Sequence, residues 1–275
     1  TVDPEHLFRE TYWYRSSVNE TMRAELADVV TDALGQVGPL GYHDLVVDVG
    51  ANDGTLLAAY RDHPASREVP RIAFEPATNL YADLRPRCES LVADFFPSGL
   101  GQACGAVGRV KILTSIACFY DLDDPMAFVS AVTRLLHPDG VWVVQFQDLD
   151  QMLKATAFDN IVHEHVFYPS LAAVERMIQP FGLKVLDAQS RAINGGSLRL
   201  TIGYGTHKPA TARVDGLRQR EAGCEDWQTL ERFAWRVGEV RNQIQAAIGH
   251  IADRGPVDLY GASTKGNTLL QYCGI

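Results

Sequence analysis

Hydrophobic and polar positions along the chain fall into a repeated order of short apolar runs and helical stripes. "SVNETMRAELADVVTDAL" (17–34) has helical spacing, with Met22, Leu26, Val29, Val30 and Leu34 on one side. A Gly/Pro-rich loop follows, and "LVVDVG" (45–50) then predicts a buried parallel strand. "RIAFE" (71–75) precedes a helix near "NLYADLRP", and "SLVAD" (90–94) precedes a loop and helix. "RVKILTS" (109–115), "DPMAFVSAVTRLLHPDG" and "VWVVQF" (141–146) continue the alternation. "LKVLDAQ" (183–189) and "GSLRLTIGY" (196–204) lie close together and predict an antiparallel pair. Repeated strand–helix units predict an α/β fold, a mostly parallel sheet with helices on both faces.

Further along, "DWQTLERFAWRVGEVRNQIQAAIGHIADRG" (226–255) predicts one long helix. Leu230, Phe233, Val237, Val240, Ile244, Ala247 and Ile251 form a near-heptad stripe, expected to be packing surface. Gly255-Pro256 ends it, and "VDLYGASTKGNTLLQYCGI" predicts a strand, a glycine-rich turn and a helix start. One strand and one helix cannot bury their own faces, so a second Rossmann-like unit is expected to open here incompletely, its residues poorly packed. The expected organisation is a helical and aromatic segment over 1–40, a cofactor-binding domain over 41–205, linking helices over 206–255 and the start of a C-terminal domain over 256–275.

Composition narrows the partners. The 275 residues are 46% hydrophobic and 21% charged, with a formal charge of −9, which argues against a nucleic-acid surface. No run is apolar enough to cross a bilayer and no leader is visible. Cys88, Cys104, Cys118, Cys224 and Cys273 have no paired spacing and read as reduced thiols, with a cytoplasmic location expected. The sequence gives no oligomeric state.

"VVDVGANDGTLL" (46–57) carries the first chemistry. A strand ends in Asp48, turns through Gly50, Asn52 and Gly54, and enters a helix. The glycines admit a ligand close to the backbone. Glu75, followed by Pro76 at the next strand end, can accept from ribose hydroxyls. The loop reads G-A-N-D-G rather than G-x-G-x-x-G, and Asp48 with Asp53 would repel a pyrophosphate. A cationic nucleoside such as S-adenosyl-L-methionine fits better. Asp94 is then expected at the adenine amino group, Phe95 against the ring, and Ser115 at the fourth strand end.

The segment "IVHEHVFYPSL" (161–171) carries the second. His163, Glu164 and His165 could form a base, a metal site or a solvated turn; no Cys or further His lies nearby to complete a metal site, and none is expected. Phe119 and Tyr120 in "TSIACFYDLDDP" could wall a substrate or belong to the core.

The chain resembles a class I S-adenosylmethionine methyltransferase, and more narrowly the deoxysugar C-methyltransferases. "TYWYRSS" (11–17), "EHVFYPSL" (164–171), "NGGSLRLTIG" (194–203) and "YGASTKGNTLLQYCGI" (260–275) carry the narrower likeness. The resemblance implies methylation of a carbon next to a keto group on a thymidine-diphosphate-linked sugar. It places the general base on His165, with Glu164 as helper and His163 as a bystander. Tyr12, Tyr14, Asn194, Gly195, Gly196 and Lys265 are expected around the sugar nucleotide. The family begins with a small zinc-binding domain that has no counterpart in these residues, so the chain is expected to be clipped at both ends. Two other readings stay open: an O- or N-methyltransferase on a small natural product, and a non-catalytic binding fragment.

Overall fold

The computed structural model describes residues 3–205, 209–261 and 263–275. Its centre is a seven-stranded sheet in the order β3-β2-β1-β4-β5-β7-β6. The strands are β1 (Leu45–Val49), β2 (Arg71–Phe74), β3 (Ser90–Val92), β4 (Val110–Ile116), β5 (Leu136–Gln147), β6 (Leu183–Arg191) and β7 (Ser197–Tyr204). The first five pair in parallel, and β7 runs antiparallel to both β5 and β6. This is the mostly parallel α/β sheet that the alternation predicts, and the Rossmann-like form that the resemblance implies. Every residue of β1 is buried, as a strand covered on both faces requires.

Helices cover both faces. On one side α1 (Glu20–Gln36) and α2 (Thr55–Asp62) pack Leu26, Val29, Leu57 and Tyr60 against Val46, Ile112 and Val143. Opposite, α4 (Pro125–Leu135) and α6 (Leu171–Ile178) cover an aromatic stack. Phe119 lies 5.5 Å from Phe128, 5.3 Å from Trp142 and 5.5 Å from Phe167, centroid to centroid. The short α3 (Tyr81–Leu84) and α5 (Leu149–Ala155) follow β2 and β5.

One charged group lies inside this packing. Arg199 on β7 is 1% exposed, donating to Glu25 at 2.6 Å, Asp28 at 2.9 Å and Gln145 at 2.9 Å, and also to Asp32. Arg191 on β6 joins it at Glu25 and Asp28. Three carboxylates on successive turns of α1 thus clamp the helix to the antiparallel end of the sheet.

Beyond the sheet, α7 (Ala212–Arg220) leads to α8 (Trp227–Ala252). The stripe on α8 is a packing surface only in its middle. Val237 is buried and Phe233, Val240 and Ile244 are half-buried, while Leu230, Ala247 and Ile251 are exposed, because few described residues lie against the ends of this helix. The strand expected after Pro256 is absent: 257–261 is exposed loop, and Ala262 of the glycine-rich turn lies outside the described residues. The helix that follows, α9 (Thr264–Cys273), does pack. Cys273 is buried, its carbonyl accepts from Gln245 at 2.5 Å, and the Tyr272 ring lies 5.1 Å from Phe158.

Burial pushes the Glu25 carboxyl up, but hydrogen bonds and charge from Arg191 and Arg199 outweigh it and hold it below the ordinary 4.5. A depressed carboxyl stabilises the fold above its unfolded value and stops doing so as pH falls through its folded value. Glu25→Gln is expected to cost about 2 kcal/mol at neutral pH, with two other carboxylates still facing Arg199. The deficit should close on acidification below pH 4.5. Urea midpoints across pH, at unchanged slope, measure both effects.

Candidate active site

Three left-handed residues shape the turn after β1: Gly50 at φ 70°, Asn52 at 52° and Gly54 at 78°. A Cβ on Gly50 would meet Cys118 at 3.2 Å, and one on Gly54 would meet Leu84 at 2.9 Å. Glu75 holds this turn from the end of β2. Its two oxygens accept from the Asn52 amide at 2.7 Å and the Ala77 amide at 2.9 Å. Asp48 accepts from the Thr114 hydroxyl at 2.7 Å. Burial raises both carboxyls to about 7, opposed at Asp48 by the Thr114 bond and aided there by the Glu75 charge.

These groups line a cavity of about 760 Å³ at the carboxyl ends of the strands, where open α/β sheets bind ligands. Of the expected cofactor residues, Asp48, Gly50, Asn52, Glu75, Pro76, Asp94 and Phe95 line it. Gly54 does not; it caps α2. Ser115 is a correction. It is fully buried and accepts from the Trp142 indole at 2.8 Å. Alternate strand residues face opposite sides, so with Thr114 turned toward Asp48, Ser115 turns into the aromatic core. Asp53 is another: it accepts from the Ser17 amide and from Thr55, fixing the start of α2 rather than repelling anions in the cavity.

Residues 9–17 cross the top of β1–β3 as a roof. Asn52 donates to the Tyr14 carbonyl at 3.0 Å and accepts from the Ser16 amide at 3.0 Å. Asn79 exchanges two bonds with the Tyr12 backbone, at 3.1 and 2.9 Å. Tyr12 and Tyr14 line the cavity as expected, and burial raises both phenols. Arg9 donates to Asp94 at 3.0 Å and sits 5.0 Å above the Phe95 ring. In this arrangement a guanidinium holds the two groups expected to receive adenine.

The histidine segment meets the same cavity. Main-chain bonds from Val166 at 2.8 Å and Phe167 at 3.3 Å to the Tyr120 carbonyl join it to the loop after β4. His165 lies with its ring 4.2 Å from that of Tyr120, and its Nδ1 is 3.0 Å from the Asn160 carbonyl. A carbonyl only accepts, so Nδ1 carries the proton and Nε2 the lone pair. Burial lowers the His165 pKa from 6.5; the Asn160 bond opposes this, and Lys265 and His163 add to it. Glu164 and His165 line the cavity, whereas His163 is exposed and outside it. Among the described residues no group of three or more His, Cys, Asp or Glu could hold a metal.

On the substrate side, Tyr120, Asn194 and Lys265 line the cavity, with Lys265 donating to the Asn194 carbonyl at 2.9 Å. Phe119 is corrected to core: it is fully buried in the aromatic stack. Gly195 and Gly196 shape the turn into β7 without lining the cavity, and the Gly196 carbonyl accepts from Gln147 at 2.7 Å. The lining residues that the sequence did not single out as site residues include Asn160 and Asp121. Asn160 works through its backbone carbonyl, which leaves no side-chain signature. Asp121 sits in "FYDLDDP" among other acids that are surface-exposed, so charge alone does not single it out.

Among the described lining residues, carboxyl groups far outnumber the one lysine, Lys265. Around Asp48 and Glu75 a cationic nucleoside fits that lining and a pyrophosphate does not. A methyltransferase-domain family profile matches residues 18–188, more than half of the chain. The chain therefore belongs to the class I S-adenosylmethionine-dependent methyltransferases, whose cofactor suits this turn and lining. Within that class, residues 192–275 match the C-methyltransferase C-terminal domain profile. The chain is 30% identical over 284 residues to C-methyltransferase NovU of Streptomyces niveus, covering 100% of this chain and 65% of that protein, so it spans slightly less than two thirds of that relative. Solved structures resemble it more distantly. A chain of the complex between the Haloferax volcanii Trm112 methyltransferase activator and a methyltransferase is 18% identical, at TM-score 0.49 over 68% of this chain and 95% of that one. Magnesium protoporphyrin IX methyltransferase from Synechocystis PCC 6803 is 10% identical, at TM-score 0.48 over 66% and 79%.

Three binding outcomes are expected. Glu75→Ala should weaken S-adenosylhomocysteine by about 1–3 kcal/mol through lost ribose bonds. In the unchanged protein, affinity should fall as pH is lowered through about 7, where Glu75 takes up a proton and becomes a poorer acceptor. Calorimetry across pH reads both. Arg9→Ala, by freeing Phe95 and Asp94, should tighten binding roughly three- to tenfold, the scale of an exposed ion pair with a cation–π contact. Unchanged or weaker affinity would mean that Arg9 and adenine do not share the site.

Proposed function

We propose that this chain carries the catalytic site of a C-methyltransferase that alkylates the carbon next to a ketone on a nucleotide-linked keto-deoxysugar. The observation that carries this reading is His165: a neutral imidazole, its Nδ1–H committed to Asn160, leaving Nε2 as a base beside the cofactor cavity. Carbon alkylation needs such a group, because a sugar carbon becomes nucleophilic only after its acidic proton is removed. Bound at Asp48, Glu75 and the turn between them, S-adenosylmethionine supplies an electrophilic methyl group.

The rest of the site has matching roles. His165 takes the proton α to the ketone, and the electron pair moves onto the carbonyl oxygen to give an enolate. Glu164, the preceding residue and also in the cavity lining, holds the sugar or orients the base. Tyr12 and Tyr14 in the roof shed water from the reacting carbon. Lys265 lies one residue into α9, whose start is capped by the Ser263 hydroxyl accepting from the Gly266 amide at 3.0 Å. A lysine at a helix N-terminus suits the diphosphate of a nucleotide sugar. The likeness to a C-methyltransferase supports carbon as the acceptor.

His165→Ala is expected to lower turnover on a thymidine-diphosphate keto-deoxysugar by two to four orders of magnitude, with S-adenosylhomocysteine affinity intact. His163→Ala should be mild. In the unchanged enzyme, turnover should rise with pH through a value below 6.5, as His165 loses its proton. Deuterium exchange from solvent into the keto-sugar is the discriminating measurement. Methylation without any exchange would indicate an O- or N-acceptor, and cofactor binding with neither would indicate a non-catalytic fragment.

A further inference from the structure

Asp121 is the group that the scheme above leaves without a task. It follows Tyr120, whose carbonyl is bonded to the backbone of Val166 and Phe167, so it is tied directly to the histidine segment. Its backbone amide donates to Cys118 at 3.3 Å, closing the short turn after β4. Its carboxyl lines the cavity, yet Oδ1 is shielded from solvent and has no hydrogen-bond partner among the described residues. Carboxylates buried in native proteins are paired with cations or with amides. This one faces Glu164 from the histidine segment, Tyr12 from the roof, and Tyr120, Cys118 and Tyr168 around it. None of these is a cation.

A carboxyl group so placed is stable as the neutral acid. Burial first, and then the charge of Glu164, raise it to about 9. A neutral acid has one O–H to give, and Oδ1 has no partner among the described residues. We propose that Asp121 is a further catalytic residue of this site, a neutral carboxylic acid whose O–H donates to the substrate's ketone oxygen and stabilises the enolate.

The inference rests on the enolate reading and supplies its missing half. When His165 takes the α proton, the C–H electron pair forms the carbon–carbon double bond and the carbonyl π pair moves onto oxygen. Asp121 then holds that oxygen by a hydrogen bond, without net proton transfer. As the enolate carbon attacks the methyl group, the oxygen returns to a ketone and the Asp121 proton stays where it was. Base and acid are thus separate groups, one a histidine kept unprotonated and the other an aspartic acid kept protonated, both by burial. The acid serves the ketone oxygen and the base the proton on the α carbon.

Two measurements test this together. At about pH 8, above the carboxyls that titrate near 7, infrared spectra of the protein alone should show a neutral carboxylic acid carbonyl band that Asp121→Asn removes. With a thymidine-diphosphate keto-deoxysugar, Asp121→Ala should slow deuterium exchange by roughly a hundredfold or more, the scale for losing one such donor. Asp121→Asn keeps a neutral donor, so it should stay within about tenfold of the unchanged enzyme while losing the fall in rate near pH 9. Thermal unfolding checks that both variants fold. A band that survives Asp121→Asn, or an alanine variant that exchanges normally, overturns this role while leaving the enolate reading standing. No exchange by the unchanged enzyme removes the enolate reading itself, and this inference with it.

Discussion

The bond from the Asn52 amide to the Glu75 carboxylate governs the architecture above the sheet. It joins the end of β2 to the turn after β1 and holds Asn52 in a left-handed conformation that few non-glycine residues adopt. With its backbone fixed there, the Asn52 side chain reaches Tyr14 and Ser16 and anchors the roof. One carboxylate therefore sets the floor of the cavity and, through its neighbour, the position of the cover. The same carboxylate is the one expected to meet ribose, so ligand binding and closure of the roof share a single support.

The sheet was largely legible because its strands are apolar runs with clear endings, and the acidic residues at successive strand ends pointed to the cavity correctly. What escaped was direction. Ser115 and Phe119 lie close in sequence to cavity residues, but strand parity and a tight turn send both into the aromatic stack. Parity relative to Thr114 could have been applied to Ser115. Arg199 sits in an alternating strand pattern that normally marks a solvent-facing position. Only the three acids spaced along α1 reveal, once the fold is known, that it is buried. The α8 stripe has the right period for a packed face, but periodicity says nothing about whether a partner is present.

The cavity is unusual for its concentration of carboxyl groups under low solvation. Asp48 and Glu75 are raised to about 7 and Asp121 to about 9, in each case mainly by burial. A site that keeps acids near or above neutrality can hold a cationic nucleoside with one set and handle protons with another. His165 responds to the same burial in the opposite sense, because desolvation favours whichever form is uncharged.

The placing of β7 between β5 and β6 has a consequence for how the chain emerges during synthesis. From Val141 to Gln147, β5 pairs on its outer side only with residues 197–203, which are made some fifty residues later. Until then a seven-residue, largely apolar strand edge lies bare while β1 to β4 can already pair. Such an edge is a template for unwanted pairing between nascent chains. The β6–β7 hairpin can form locally and cap it in one step, so pausing or truncation between residues 147 and 204 is the interval in which this protein is most prone to aggregate.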